Sequence, residues 1–238
     1  MICITGDMHG DLSRLADKRL SLLKKNDFLI VTGDFGFLWD KTEREDKILK
    51  KIGKKRFYTL FVEGCHDNYD LINSYKEEDF CGGRARQISG KLFHLSRGNI
   101  FNLQGVRVFA FGGGISPDIA ERSAQNRFWG EEAVTEEQVD KARENLEDHG
   151  YKFDIAVTHE APASIKQFLA FEGNMLTRIH FFLDEVREKA TFERWFFGKL
   201  HKRKLIPPKF LSLFDDYEFY PSTDKERKKL AKLQKRKR

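Results

Sequence analysis

The chain has 238 residues, 40% hydrophobic and 34% charged, which is enough to bury a full core and excludes a disordered chain or a small stapled scaffold. The formal charge is +6, but residues 222–238 hold nine Lys/Arg against two Asp/Glu, so everything before them sums to −1 and offers no general basic face. Cys3, Cys65 and Cys81 lack regular spacing, which argues against a disulfide framework and for a reducing, cytoplasmic setting. No secretory leader is expected, because an apolar strand begins at Ile2, and no apolar run approaches the length of a membrane span. The expected organisation is one domain over 1–220 and a basic, flexible tail over 221–238.

Ile2–Thr5 reads as a buried strand that empties into Gly6-Asp7-Met8-His9-Gly10. Leu12 to Leu23 carries a broadly helical spacing, with Asp11 or Ser13 as its cap. Phe28–Thr32 is a second apolar strand, ending in Gly33-Asp34, and Thr42–Lys55 is a charged helix. Phe57–Val62 is a third strand and closes on Gly64-Cys65-His66-Asp67, with Asp67 read as the cap of the next helix. Strands alternating with helices predict an α/β fold whose ligands gather at the carboxyl edge of a parallel sheet.

Lys91–Leu95, Asn99–Leu103 and Val106–Phe111 read as short strands of a second, antiparallel portion, with a hairpin turn at Gln104-Gly105. Gly112-Gly113-Gly114 interrupts the last of them, and Pro117 opens a short helix through Ala124. Glu131–His149 is helical. Phe153–Val157 is a strand ending in Thr158-His159-Glu160-Ala161-Pro162. Leu176–Lys189 is helical, Phe192–Phe197 is a strand breaking at Gly198-Lys199-Leu200-His201, and short strands near Leu205 and Phe210–Leu213 finish the fold.

Four histidines, His9, His66, His159 and His201, thus follow strand ends, whereas His94, His149 and His180 lie within strand or helix patterns without acidic companions and read as structural. Asp-x-His, Gly-Asp, Gly-x-His-Asp, Thr-His and Gly-x-x-His in that order resemble the calcineurin-like metallophosphoesterase superfamily, in a compact bacterial or phage-type branch. The resemblance implies a four-layer α/β/β/α sandwich of two mixed sheets. It also implies metal ligation by Asp7, His9, Asp34 and His201, with Asp34 bridging to a second ion and His159 ligating it. The implied activity is hydrolysis of a phosphomonoester or phosphodiester, with a hydroxide on Mn, Fe or Zn as nucleophile and His66 as general acid.

The second metal position departs from that pattern. Where the superfamily has Gly-Asn-His, this chain has Cys65 before His66, and where it has Gly-His-x-His, this chain has Lys199 before Leu200-His201. A Cys65 thiolate could retain Zn or Fe together with Asp34 and His159. Alternatively, a protonated Lys199 places a cation where the second ion would sit and binds a phosphate oxygen, leaving one tight metal. Arg97 is the arginine expected at the substrate. The alternative to an active phosphatase is an attenuated phosphoesterase-fold protein that binds phosphate, or nucleic acid through the basic tail.

Overall fold

The computed structural model describes residues 1–169 and 175–235. In chain order it contains β1 (Ile2–Thr5), β2 (Phe28–Thr32), α1 (Glu43–Gly53), β3 (Tyr58–Val62), α2 (Tyr69–Asn73), β4 (Glu77–Phe80), β5 (Gly83–Ser89) and β6 (Leu92–Leu95). There follow β7 (Asn99–Leu103), β8 (Val106–Phe111), α3 (Ile119–Ala124), α4 (Glu136–Asp148), β9 (Ile155–Thr158), α5 (Ala163–Phe168) and α6 (Arg178–Lys189). The chain closes with β10 (Arg194–Phe197), β11 (Lys204–Ile206), β12 (Phe210–Ser212), β13 (Tyr217–Tyr220) and α7 (Asp224–Lys235).

The strands form two mixed sheets, one of order β13-β1-β2-β3-β6-β5-β4 and one of order β11-β12-β10-β9-β8-β7. The period-2 alternation of strand side chains divides the core into layers. Ile2, Ile4, Ile30, Leu60 and Val62 from the first sheet meet Val108, Ala110, Ile155, Val157 and Phe196 from the second in one buried cluster. Their neighbours Cys3, Leu29, Val31 and Phe61 point the other way, onto Leu49 and Ile52 of α1. On the far side Phe109, Phe111, Ala156, Trp195 and Phe197 are covered by α4 and α6 through Val139, Leu146, Phe182 and Val186. The result is the expected α/β/β/α order of layers.

Several local expectations change. The stretch from Leu12 to Leu23 forms two separate 3-10 turns, Arg14–Ala16 and Lys18–Leu22, instead of one helix. Asp17 lies between them in a non-helical conformation and caps the second turn by accepting from the Arg19 N–H at 2.7 Å. β6 belongs to the first sheet, parallel to β3, and only β7 and β8 enter the second as an antiparallel pair. The hairpin of β4 and β5, the edge strand β13 antiparallel to β1, and α5 are elements that the sequence pattern did not announce. Within the basic tail, Asp224–Lys235 form helix α7, whose first turn is tied down where Ser222 donates to Glu226 Oε2 at 2.9 Å. Among the described residues no helix is long and apolar enough to cross a membrane.

Candidate metal centre

The parallel pairings bring the strand ends to one edge. Thr5 lies beside Val31 and Thr32 beside Val62, while in the second sheet Thr158 lies between Phe111 and Phe197. The turns that follow β1, β2, β3, β9 and β10 therefore converge, and they carry the strand-end histidines and carboxylates. Close approach is possible because of glycine: a Cβ on Gly198 would run into Asp7 Oδ1, and one on Gly64 into the carboxylate of Asp34. His9, Asp34, Lys199 and His201 hold positive φ values of 46°, 42°, 65° and 46°. Non-glycine residues in that region cost about 1–3 kcal/mol each and persist where the surroundings enforce them, commonly at functional sites. Arg14 helps enforce the first turn: its guanidinium donates to Thr5 Oγ1 at 2.6 Å, to Gly6 O at 3.2 Å and to the carbonyls of Asp7 and Phe214.

Asp7, His9, Asp34 and His201 each present one ligand atom within 4.8 Å of all the others. His9 Nε2 and His201 Nε2 are 3.0 Å apart, and His201 Nε2 is 3.1 Å from Asp7 Oδ2. A second group, Asp34, Cys65 and His66, likewise brings its donor atoms within 4.8 Å of one another and shares Asp34 with the first. His159 is fully buried behind both; its Nδ1 lies 3.1 Å from Thr32 O, and its Nε2 lies 3.6 Å from Asp34 Oδ1 with no hydrogen-bond partner. That nitrogen faces the carboxylate at ion-pair distance, and His159 belongs to neither of the two donor groups.

The electrostatics express a demand for positive charge. Burial pushes the Asp34 carboxyl up, but His159 and His66 outweigh it and hold it well below the usual carboxylate range. Asp7 is likewise lowered against its burial, by His159 and His201. In return His66 is pushed up to about 11, chiefly by its hydrogen bonds to Asp34 and Cys65. His159 is raised despite burial by Asp34 and Asp7. Without another cation, these buried carboxylates draw protons onto the imidazoles. A divalent ion bound among Asp7, His9, Asp34 and His201 would meet that demand directly, so the residues present fit a metal.

His66 is gripped on both ring nitrogens: Nδ1 is 3.1 Å from Asp34 Oδ2, and Nε2 is 3.2 Å from Asp118 Oδ2 and 3.3 Å from Ser116 Oγ. Lys199 Nζ lies 2.8 Å from Cys65 Sγ and 3.7 Å from Glu160 Oε1. Asp34, Cys65, His66, Lys199 and His201 line one cavity of about 380 Å³, whose other wall is apolar, with Ile115, Pro117, Leu169, Met175 and Leu200.

Arg97 is elsewhere. Its guanidinium pairs with buried Glu63 and donates to Gln138 Oε1 at 2.8 Å, bordering a separate cavity with Tyr69 and His94. Its charge is paired within the core, beside a different cavity from the one that Asp34, His66 and His201 line. Asp67 does not cap α2, because Asn68 does so by accepting from Leu71 N–H at 3.0 Å. Asp67 instead ties two site loops together, accepting from Phe35 N–H at 3.2 Å, Gly36 N–H at 3.0 Å and Gly64 N–H at 2.8 Å. His94 and His180 do have acidic companions, Glu63 Oε2 at 2.6 Å and Glu160 Oε2 at 3.0 Å. Ser116, Asp118 and Glu160 are site residues the sequence reading did not assign. Arg122 is another buried anchor, donating to Cys65 O and pairing with Glu132.

No curated protein matches the chain in sequence. The family model for calcineurin-like phosphoesterases matches residues 1–201, from the first residue to the last strand-end histidine, His201. With the two-sheet architecture and the clustered ligands, that match gives the assignment: the chain belongs to the calcineurin-like phosphoesterase family.

Proposed function

We propose that this protein hydrolyses a phosphate ester, monoester or diester, using a divalent transition metal held by Asp7, His9, Asp34 and His201. The observation that carries this reading is the convergence of those four donors within 4.8 Å of one another at the strand ends. Mixed carboxylate and imidazole donors suit Mn, Fe or Zn. Such an ion, when bound, supplies Lewis acidity to the phosphoryl group and an activated water.

The protein's own groups account for the rest of the chemistry. His66 borders the cavity and, when protonated, gives its proton to the departing ester oxygen. Asp34 fixes the ring from Nδ1, while Ser116 and Asp118 steady Nε2, at 3.3 and 3.2 Å. The apolar wall of the cavity keeps water from the leaving group and gives an organic substituent a surface to rest on.

The test is hydrolysis of an aryl phosphomonoester, an alkyl phosphomonoester and an aryl phosphodiester by the purified chain with Mn(II), Zn(II) or Fe(II), before and after a chelator. Turnover of at least one ester, abolished by chelation and restored by metal, is expected. Absence of both turnover and stoichiometric metal would sink the reading. The changed residues Cys65 and Lys199 favour one second reading, a protein that binds phosphate without turning it over, and metal uptake with phosphate binding but no hydrolysis would select it.

A further inference from the structure

We infer that the Lys199 ammonium occupies the place of a second cation in this site, so that each chain takes up a single metal ion and Lys199 itself grips an oxygen of the substrate's phosphoryl group. The inference rests on the phosphoesterase reading above and concerns what completes that site.

The placement begins in the backbone. The Lys199 N–H lies 3.2 and 3.0 Å from the two carboxylate oxygens of Asp7, so the residue is fastened to a ligand of the first ion. From there its side chain crosses to the turn after β3. Nζ comes to 2.8 Å from Cys65 Sγ, 3.5 Å from Ile115 O and 3.7 Å from Glu160 Oε1. Cys65 Sγ and Ile115 O take two of the ammonium's three N–H donors, and Glu160 Oε1 stands at ion-pair distance, which leaves the third donor for a substrate oxygen.

Glu160 explains why a cation is required there. Its side chain is 2% exposed; Oε2 is taken by His180 at 3.0 Å, while Oε1 has no hydrogen-bond partner and faces Lys199. A buried carboxylate needs nearby positive charge, which Lys199 supplies on the Oε1 side and Lys166, with Nζ 3.6 Å from Oε2, on the other. Cys65 Sγ is in turn 3.8 Å from Asp34 Oδ2, so the ammonium stands beside the carboxylate that would bridge two metals. A metal bonded to that sulfur, at about 2.3 Å, would face the ammonium across the same atom and be repelled by it. The ammonium nonetheless borders the cavity that His66 and His201 line, with 19% of its side chain exposed. A phosphoryl group entering that cavity would meet the metal on one side and a lysine on the other, the second acting as a point-charge phosphate binder.

Elemental analysis of the full-length protein, freed of unbound metal after incubation with Mn(II), tests the stoichiometry. One ion per chain is expected for the natural sequence, and two ions would overturn the inference while leaving the phosphoesterase reading intact. No ion from Mn(II), Zn(II) or Fe(II) alike, together with no turnover, would overturn both. A calorimetric titration with inorganic phosphate, on protein loaded with one equivalent of Mn(II), tests the second half. Lys199→Met, checked for folding by circular dichroism, should bind phosphate about tenfold or more weakly, the loss of one charge-assisted hydrogen bond. Undiminished phosphate affinity in Lys199→Met would overturn the role given to the lysine.

Discussion

Asp34 accepts from the His66 backbone N–H at 2.7 Å and faces the His66 ring at 3.1 Å, so one carboxylate sets both the position of that histidine and its affinity for a proton. If His66 is the proton donor, His66→Asn should lower turnover by about 10²–10⁴-fold on an alkyl phosphate, whose leaving oxygen needs the proton. The loss should be markedly smaller on a p-nitrophenyl ester, and steady-state rates on both substrates measure the contrast. Equal losses on both would argue against a proton transfer. Arg97 behaves differently because its partner is Glu63, 4% exposed, at the core end of another cavity. Breaking that buried pair with Arg97→Met should cost about 3–5 kcal/mol in denaturant unfolding, with KM of the surviving folded protein unchanged. The clustering of the strand-end carboxylates and imidazoles was legible in the sequence because glycine, carboxylate and imidazole follow an apolar run within a few residues. The roles of Arg97, Asp118 and Glu160 were not, because each is decided by a partner far away in the chain, Glu63, His66 and Lys199 respectively.

The turns that end the strands matter as elements, since their backbone path brings the ligands together. Gly198 lets β10 discharge its turn directly against Asp7. Gly198→Ala should therefore displace Asp7 or the turn, and the expected outcome is loss of tight Mn(II) binding by calorimetry with the sheets retained by circular dichroism. Unaltered metal affinity would show that the turn can relax without moving the ligand. The parallel strands were readable as continuous apolar runs, because both of their faces are covered. β4 was not, since Glu77, Glu78 and Asp79 give it the charged character of a solvent-washed sheet edge, and it pairs only with β5. The two 3-10 turns after β1 were also hidden, because leucine spacing alone does not reveal that Asp17 caps a new turn and interrupts the old one.

Across the whole molecule, two sheets face each other through a shared core and deliver their strand ends to one edge, while α7 carries six Lys/Arg against two Asp/Glu. Lys225, Arg227, Lys228, Lys229 and Lys232 are all exposed on that helix. Replacing Lys228, Lys229 and Lys232 with Gln should leave turnover of a small phosphate ester within about twofold, because surface charges distant from the chemistry change little. If α7 recruits a polyanion, the same variant should lose affinity for single-stranded DNA at low salt and show a shallower salt dependence. Equal affinity and salt slope would exclude the helix as that contact. In the proposed function, metal binding is carried by the turns after β1, β2 and β10. An anomalous-difference map of crystals grown with Mn(II) tests it directly: a strong peak enclosed by Asp7, His9, Asp34 and His201 is the predicted result, and a fully loaded crystal without density there would contradict it.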